Sequence, residues 1–288
     1  MKSKLTTKTI IIATSMVVAI LVTGIAYAVI SITTPTTIAY SAQPGTTMQA
    51  FTPTMCSTMD TYTTGVLTDT RNSQNYRVRK MPDGKCWMID DLKLGSATLT
   101  PSNSNVSTNF TIGAENTATG YYNPSSTANS FRDNCIYRIG ISPNSLTGCG
   151  YLYTFDVATA TTGTAMSTDN TNAPSSICPA GWHLPTGGSS GEFAVLNGAM
   201  STGTSTASTA NSITTRSNWR YNGPFEGSLS GYYNTSFNDT GNYGIYQSSS
   251  VSSATDVYYV YFSYGTGSPG TYTATNSKSF GMAIRCVL

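Results

Sequence analysis

The chain has 288 residues, of which only 10% are charged, well below the roughly 25% typical of soluble domains. Removing Lys2, Lys4 and Lys8, which lie near the N terminus, from the 15 basic residues leaves 12 against 13 acidic ones. A chain this close to neutrality lacks the basic surface of a nucleic-acid-binding protein, so nucleic acid is excluded as a partner. The length is sufficient for one large domain or two modest ones.

The first predicted element is the uncharged, mostly apolar segment from Thr9 to Ile32, after which no Lys or Arg occurs until Arg71. As a helix it would be about 36 Å long, enough to cross a hydrocarbon core of roughly 30 Å. Two interpretations stay open: a signal peptide cleaved at Ala26-Tyr27-Ala28, or an uncleaved anchor, which the continuing apolar run favours. Both interpretations export the rest of the chain, and the anchor makes the membrane a partner through residues 1–32.

Residues 33–55 contain eight threonines, three prolines and no charge, a composition typical of an extended linker. The following stretch, Tyr76–Ile89, predicts a hairpin around the turn Pro82–Lys85, with its charges on a solvated face. Asp90 and Asp91 come next. Adjacent strand residues point to opposite faces, so these carboxylates are not expected to act as an acid–base pair.

The second half predicts one helix and several strands. Ser189 and Glu192 match a capping box, and the three apolar residues after it fall on one face of a helix of about ten residues. Tyr151–Phe155 is a strand or the start of a short helix. The apolar residues of the helix are Phe193, Leu196 and Met200. The two clearest strands are Asp256–Tyr264 and Ser279–Val287.

Six cysteines in an exported chain allow up to three disulfides, with fifteen possible connectivities that sequence alone leaves open. Closeness along the chain favours Cys56 with Cys86 and Cys135 with Cys149, which leaves Cys178 with Cys286. No CxxC motif or Cys/His cluster occurs, so we predict no metal ligands, no redox site and no cofactor.

Several segments together resemble one family. The most specific are Cys178–Thr186 (CPAGWHLPT) and Lys278–Val287 (KSFGMAIRCV), and Asn75–Leu92, Tyr151–Ala158 and Ala254–Ser263 also correspond. On these residues the chain resembles the Fibrobacter succinogenes major paralogous domain family of bacterial surface proteins. The resemblance covers about residues 60–288.

This resemblance implies an α+β, C-type-lectin-like domain over residues 56–288, rich in antiparallel strands and long loops and preceded by the N-terminal hydrophobic helix. It also implies that the N- and C-terminal strands lie together. Ile89-Asp90-Asp91 stands where the family has Ala-Glu-Asn, and Gln247 stands where it has Trp. The motifs with which C-type lectins hold calcium and sugar, such as Glu-Pro-Asn and Trp-Asn-Asp, do not occur, so no calcium is predicted.

Aromatic residues are the candidate ligand-binding groups. Trp219 and Tyr221 lie in the polar stretch Arg216–Tyr221, where an exposed ring could stack on a sugar. Tyr258 and Tyr259 belong to a tyrosine-rich strand whose faces alternate, one toward the core and one partly wet. His183, the only histidine, has Trp182 and Leu184 as sequence neighbours and is predicted to be structural, bonded to backbone.

The prediction is therefore a non-catalytic binding or adhesion module on the extracellular side of the cell envelope, membrane-anchored or secreted. Its ligand would be a glycan or a protein on another surface. Two alternatives stay open. One is a structural envelope protein without a discrete ligand. The other is an enzyme similar to formylglycine-generating enzymes, which fold-level analogy alone prompts and which would need reactive cysteines.

Overall fold

A computed structural model describes residues 46–124, 145–161, 172–208, 217–264 and 274–288. All of them belong to one compact unit, Ala39–Leu288. This part is mixed helix and sheet, with mostly strands and short helices: α1 (Pro53–Ser57), α2 (Phe155–Ala158) and α3 (Glu192–Thr202). Within the described ranges no helix is both long and apolar enough to cross a membrane. The apolar segment 9–32 lies outside those ranges.

The described strands form three sheets. One has three strands in the order β1-β2-β3, one has seven, and β4 and β5 form a two-stranded ribbon. The seven-stranded sheet has the order β11-β10-β9-β12-β7-β8, with β6 also paired to β12, and only its β12–β9 pair is parallel among the ladders described. In chain order the strands are β1 (Thr64–Thr68), β2 (Asn75–Lys80), β3 (Cys86–Met88), β4 (Ala97–Leu99), β5 (Phe110–Ile112), β6 (Leu152–Tyr153), β7 (Tyr232–Asn234), β8 (Ser236–Asn238), β9 (Tyr243–Val251), β10 (Asp256–Ser263), β11 (Ala274–Ser277) and β12 (Gly281–Ala283).

The predicted hairpin is confirmed as β2 and β3, with Val78 opposite Met88 and Lys80 opposite Cys86. Its turn contains Gly84 at φ 88°, a conformation that glycine adopts without strain. The prediction that its charges are solvated is wrong for Arg77, which is only 7% exposed. Arg77 is buried because Asp90 supplies a counter-charge 2.7 Å from its guanidinium.

Asp90 and Asp91 belong to separate groups of buried charges. Asp90 bonds Arg77, whereas Asp91 accepts from Arg285 Nε at 2.7 Å and from Tyr246 Oη at 2.9 Å. The two adjacent carboxylates lie beyond the end of β3 and bind different arginines. Arg285 also lies over the Phe225 ring, 4.5 Å from its centroid, so the Asp91–Arg285 pair is enclosed by aromatic side chains.

The predicted helix is confirmed as α3, with Phe193, Leu196 and Met200 buried. Its predicted cap, Ser189, is wrong, because the N-cap residue is Gly191. A reciprocal pair of hydrogen bonds serves the same purpose from further upstream. Glu192 N donates to Thr186 Oγ1, and Thr186 N donates to the Glu192 carboxylate, both at 2.8 Å.

Two predicted disulfides are present, Cys56–Cys86 and Cys178–Cys286, with sequence separations of 30 and 108. Cys149 is buried, and its predicted partner Cys135 lies outside the described residues, so that pairing stays a prediction. Cys178–Cys286 joins the CPAGWH segment to the C-terminal strand. This juncture also contains a two-way backbone bridge between His183 and Val287.

The C-terminal residues connect the sheets. β12 is shorter than the predicted strand Ser279–Val287 and lies between β9 and β7 in the large sheet. Beyond it, Cys286 accepts a hydrogen bond from Met88 N, and Leu288 donates to Cys86 O, each at 3.0 Å. Residues 281–288 thus pair with the seven-stranded sheet at one end and with β3 of the three-stranded sheet at the other.

Candidate functional site

Trp219 is not an exposed aromatic platform. Its side chain is 1% exposed and packs among Phe193, Phe225 and Phe262. Its indole N–H donates to Asn197 Oδ1 at 2.8 Å, so the polar end of the ring is satisfied inside the protein. The polar sequence around Trp219 therefore surrounds a buried anchor for α3, and the prediction that this ring is available to a ligand is wrong.

The other three predicted aromatics lie in different places. Tyr221 is half-buried beside the Arg220 guanidinium, which lies 5.7 Å from its ring centroid. Tyr258 is half-buried against the loop before α3, where a Cβ on Gly187 would come within 2.6 Å of the tyrosine Cβ. Tyr259 lies on the opposite face of β10 from Tyr258. The structure therefore does not bring the four predicted residues together in one site.

Tyr259 belongs to a larger aromatic surface on one face of the seven-stranded sheet. Directly paired strand residues point to the same face, and the register pairs Tyr259 with Gln247 and Tyr261 with Ile245. The other face of β10 carries Val260 and Phe262, which are buried in the core. We call the half-buried aromatics of the first face the tyrosine face. It consists of Tyr232, Tyr243, Tyr259, Tyr261 and Phe280.

The rings of the tyrosine face contact one another in two groups. Tyr261 is central, with its ring centroid 6.1 Å from Tyr243 and 5.8 Å from Tyr259. Tyr232 and Phe280 stack nearly parallel, with centroids 5.2 Å apart and an interplanar angle of 7°. Tyrosines combine a large apolar surface with a hydroxyl group and few rotatable bonds, which makes them effective contact residues.

The part of this sheet face between the rings is buried and mostly apolar. Ile245 is 6% exposed and Met282 is fully buried, and the register places each on the same face as the tyrosines. Gln247, also fully buried, lies two residues along β9 from Ile245. The tyrosine rings therefore border a buried floor on their own face of the sheet.

The tyrosine face is electrically neutral. Its five members carry no charge. Burial, together with the nearby hydroxyls of Tyr261 and Tyr232, raises the pKa of Tyr259 to about 12. The phenol therefore stays protonated near neutral pH and can donate a hydrogen bond. A surface of aromatic rings and neutral hydroxyls is suited to a neutral ligand with both apolar and hydroxyl groups.

No family model, curated protein or solved structure matches this chain. The candidate site therefore rests on the geometry of this molecule. Of its residues, sequence reasoning identified Tyr259 as a site residue and placed Tyr261 on the same face of the strand. It missed Tyr232, Tyr243 and Phe280. The alternation of tyrosines in β10 was the pattern that pointed to Tyr259 and Tyr261. The other three residues join the site only through strand pairing, which the sequence does not specify.

A concave feature separate from the tyrosine face lies beside α2. It is a cleft of ≈ 360 Å³, with Asp156 and Lys278 among its lining residues. Burial raises the pKa of the Asp156 carboxyl, and the Lys278 charge opposes that rise. Lys278 Nζ also lies 5.7 Å from the Phe155 ring centroid. The remaining lining residues are small or hydroxyl-bearing: Ala118, Thr154, Ala254, Thr255, Ser277 and Ser279.

His183 does not lie in a catalytic arrangement. Its backbone pairs with Val287, and its ring Nε2 is 2.7 Å from Glu192 Oε1, which also contacts Lys85 Nζ at 2.5 Å. The partner of the imidazole is thus a carboxylate rather than the backbone that we expected. Within the described residues no group of three or more His, Cys, Asp or Glu side chains is arranged to hold a metal ion.

Glu192, with its partners His183, Lys85 and Thr186, is expected to make the free energy of unfolding depend on pH in the acid range. Burial alone would raise the pKa of the Glu192 carboxyl, but hydrogen bonds and charge from His183, with the Lys85 and Thr186 hydrogen bonds, lower it from 4.5 to about 2. Because the folded pKa is depressed, this carboxylate stabilises the protein above pH 4.5 and loses its effect as the pH falls toward 2. The loss is expected to be about 1–2 kcal/mol, since its partners are partly exposed.

Urea unfolding of the wild type and Glu192→Gln across this pH range tests the expectation. Glutamine keeps the hydrogen bond with Thr186 but carries no charge, so its stability should depend less on pH. Asp60→Asn, which removes an exposed carboxylate, serves as the control. Equal slopes for the wild type and Glu192→Gln would contradict the assignment.

Proposed function

We propose that this chain is a non-catalytic binding module of a bacterial cell surface, and that its tyrosine face contacts a glycan. The observation that carries the proposal is the set of half-buried aromatic rings on one sheet face, in two contacting groups beside a buried floor. Pyranose rings have an apolar face edged by hydroxyls, which aromatic rings with phenolic hydroxyls complement.

Export to the cell surface, with residues 1–32 as a signal or anchor and 33–55 as a linker, is part of the proposal. The two disulfides support an oxidising, extracellular location. We also propose membership of the Fibrobacter succinogenes major paralogous domain family, with a C-type-lectin-like domain. The CPAGWHLP and IRCV segments support it, and they lie together through Cys178–Cys286.

The enzyme alternative is less well supported. A likeness to formylglycine-generating enzymes would require reactive thiols, whereas Cys56, Cys86, Cys178 and Cys286 are joined in disulfides. The alternative of a structural envelope protein predicts that the purified protein forms ordered assemblies without a ligand. Electron microscopy of the protein at high concentration would identify such assemblies, and their formation without glycan binding would favour that alternative.

A glycan array read with the purified protein and with Tyr261→Ala tests the proposal. Tyr261 contacts two neighbouring rings of the tyrosine face, so its loss is expected to weaken binding about tenfold, or roughly 1.4 kcal/mol. Tyr264→Ala is the matched control, because Tyr264 is 41% exposed at the end of the same strand and points to the opposite face.

The chelator EDTA is expected to leave binding unchanged, since the tyrosine face needs no cation. Binding that is lost with EDTA, or lost equally in the two tyrosine variants, would contradict a role for the tyrosine face. If the wild type binds no glycan on a broad array, the glycan form of the proposal fails.

A further inference from the structure

Gln247 is a buried amide without a partner. Its side chain is fully buried, and in the part of the chain that the structure describes neither its Nε2 nor its Oε1 makes a hydrogen bond. A buried, unpaired donor or acceptor loses its hydration without replacement and lowers stability, so such groups are rare in proteins. An apolar side chain of similar size would fill the same space without that loss.

The position of Gln247 connects it to the tyrosine face. It pairs directly with Tyr259 across β9 and β10, and it shares its face of the strand with Ile245 and Tyr243. Further along β9, Val251 packs with Phe155 of α2, so that end of the face is covered by protein. Gln247 therefore lies at the inner border of the tyrosine face, beneath or beside the Tyr259 ring.

The hydrogen-bonding groups of a primary amide limit which ligands can satisfy both of its polar atoms. Its carbonyl oxygen accepts and its amino group donates, side by side in one plane. Two hydroxyls on adjacent carbons match this pair, because one hydroxyl can donate to Oε1 while the other accepts from Nε2. An isolated hydroxyl satisfies only one of the two atoms, and a trans secondary amide cannot reach both at once, because its N–H and C=O point in opposite directions.

We propose that Gln247 is the specificity-determining residue of the tyrosine face and that it recognises two adjacent hydroxyls on an internal ring of a neutral hexopyranose chain. This inference rests on the proposed glycan-binding function. The sugar stacks on Tyr261, and the Tyr259 side chain turns away from Gln247 to admit the hydroxyls. Ligand binding then supplies the hydrogen bonds that the free protein lacks.

Oligosaccharides with and without an internal diol form the first test. Cellohexaose and maltohexaose carry free hydroxyls on C2 and C3 of every internal ring, whereas chitohexaose has an acetamido group at C2 and laminarihexaose is linked through C3. Calorimetric titration of the wild type is expected to give binding to at least one of the first two that is about tenfold or more tighter than to either of the others.

Gln247→Leu provides the second test, with two readouts that change in opposite directions. Leucine removes the unpaired amide, so the melting temperature should rise by about 2–4 °C. The same substitution should weaken binding to the preferred hexaose at least tenfold. Gln74→Leu is the control, because Gln74 is a half-buried amide outside the tyrosine face that already donates a hydrogen bond to Asn75 O. It should not raise the melting temperature and should leave binding unchanged.

Each contrary outcome identifies what is wrong. Binding by Gln247→Leu as tight as the wild type, or equal affinity for chitohexaose and the diol-bearing hexaoses, would overturn the role of Gln247 and leave the glycan-binding function intact. A lower melting temperature for Gln247→Leu would show that the amide is paired in the native protein, by water for example, and would overturn it as well. Failure of the wild type to bind any glycan on the array would instead refute the function itself.

Discussion

Replacing Arg285 by methionine is expected to lower the free energy of unfolding by about 3–5 kcal/mol at neutral pH. Arg285 is 2% exposed, and Asp91 beside it is fully buried. Methionine fills much of the same space but leaves the carboxylate without its counter-charge. The remaining donors to Asp91, the hydroxyls of Ser228 and Tyr246, are neutral and do not compensate the charge.

Acid pH should reduce this deficit. Burial raises the pKa of the Asp91 carboxyl, while the charge and hydrogen bonds of Arg285 lower it, so removing Arg285 raises the pKa further. A buried acid with a raised pKa is least destabilising when it is protonated. The difference between the wild type and Arg285→Met should therefore be largest near neutral pH and shrink as the pH falls through the raised pKa.

A double-mutant cycle with Asp91→Asn isolates the pair. The double variant is expected to be more stable than the sum of the two single losses predicts, by about 1–3 kcal/mol. Lys93→Met is a useful control, since Lys93 is only half-buried and lies 5.7 Å from the Tyr151 ring centroid. Strict additivity, or an equal loss for Lys93→Met, would contradict an essential buried ion pair.

Removing the Cys178–Cys286 disulfide by replacing both cysteines with serine should be the second large effect. The bridge closes a loop with a sequence separation of 108. In the chain-entropy model it stabilises the fold by about 4.8 kcal/mol, compared with about 3.6 kcal/mol for a separation of 30. The same substitution at Cys56–Cys86, with that shorter separation, is therefore the matched control.

Chemical denaturation under oxidising conditions measures both losses. All four cysteines are nearly fully buried, so the loss of packing on replacement by serine should be similar at the two sites. A larger loss at Cys56–Cys86 than at Cys178–Cys286 would show that local packing, rather than loop closure, determines what each bridge contributes.

Local patterns were sufficient to predict several elements of the fold. Helix α3 follows from apolar residues at Phe193, Leu196 and Met200, because a helix brings these positions onto one face. The β2–β3 hairpin follows from a glycine-containing turn between two strand-like segments. Both elements are determined by residues close together in sequence, which is where such patterns are informative.

Contacts between residues far apart in the chain could not be predicted from the sequence. The polar neighbours of Trp219 indicated exposure, but Asn197 and Phe193 of α3 enclose its ring and satisfy its N–H. Arg77 was expected in solvent because its partner Asp90 could not be inferred from spacing. Residue type alone does not reveal burial when the partner comes from another element.

The candidate site likewise combines features that local sequence patterns predict with features that depend on distant contacts. Alternation along β10 correctly placed Tyr259 and Tyr261 on one face, because the period of a strand is local. Tyr232 joins them only because β7 pairs with β12, a register that the sequence does not specify. The missing hydrogen bonds of Gln247 could not have been predicted either, since they depend on everything that surrounds the side chain.

The pairing of residues 281–288 with both main sheets has a consequence for biogenesis. Their partners, among them Cys86, His183 and Tyr246, all precede them in the chain, so a ribosome makes these residues after every segment that they join. If the chain is exported as it is synthesised, the large sheet would lack the strand between β9 and β7 until residues 281–288 have been exported. Cys178 would then stay open to mispairing until Cys286 follows.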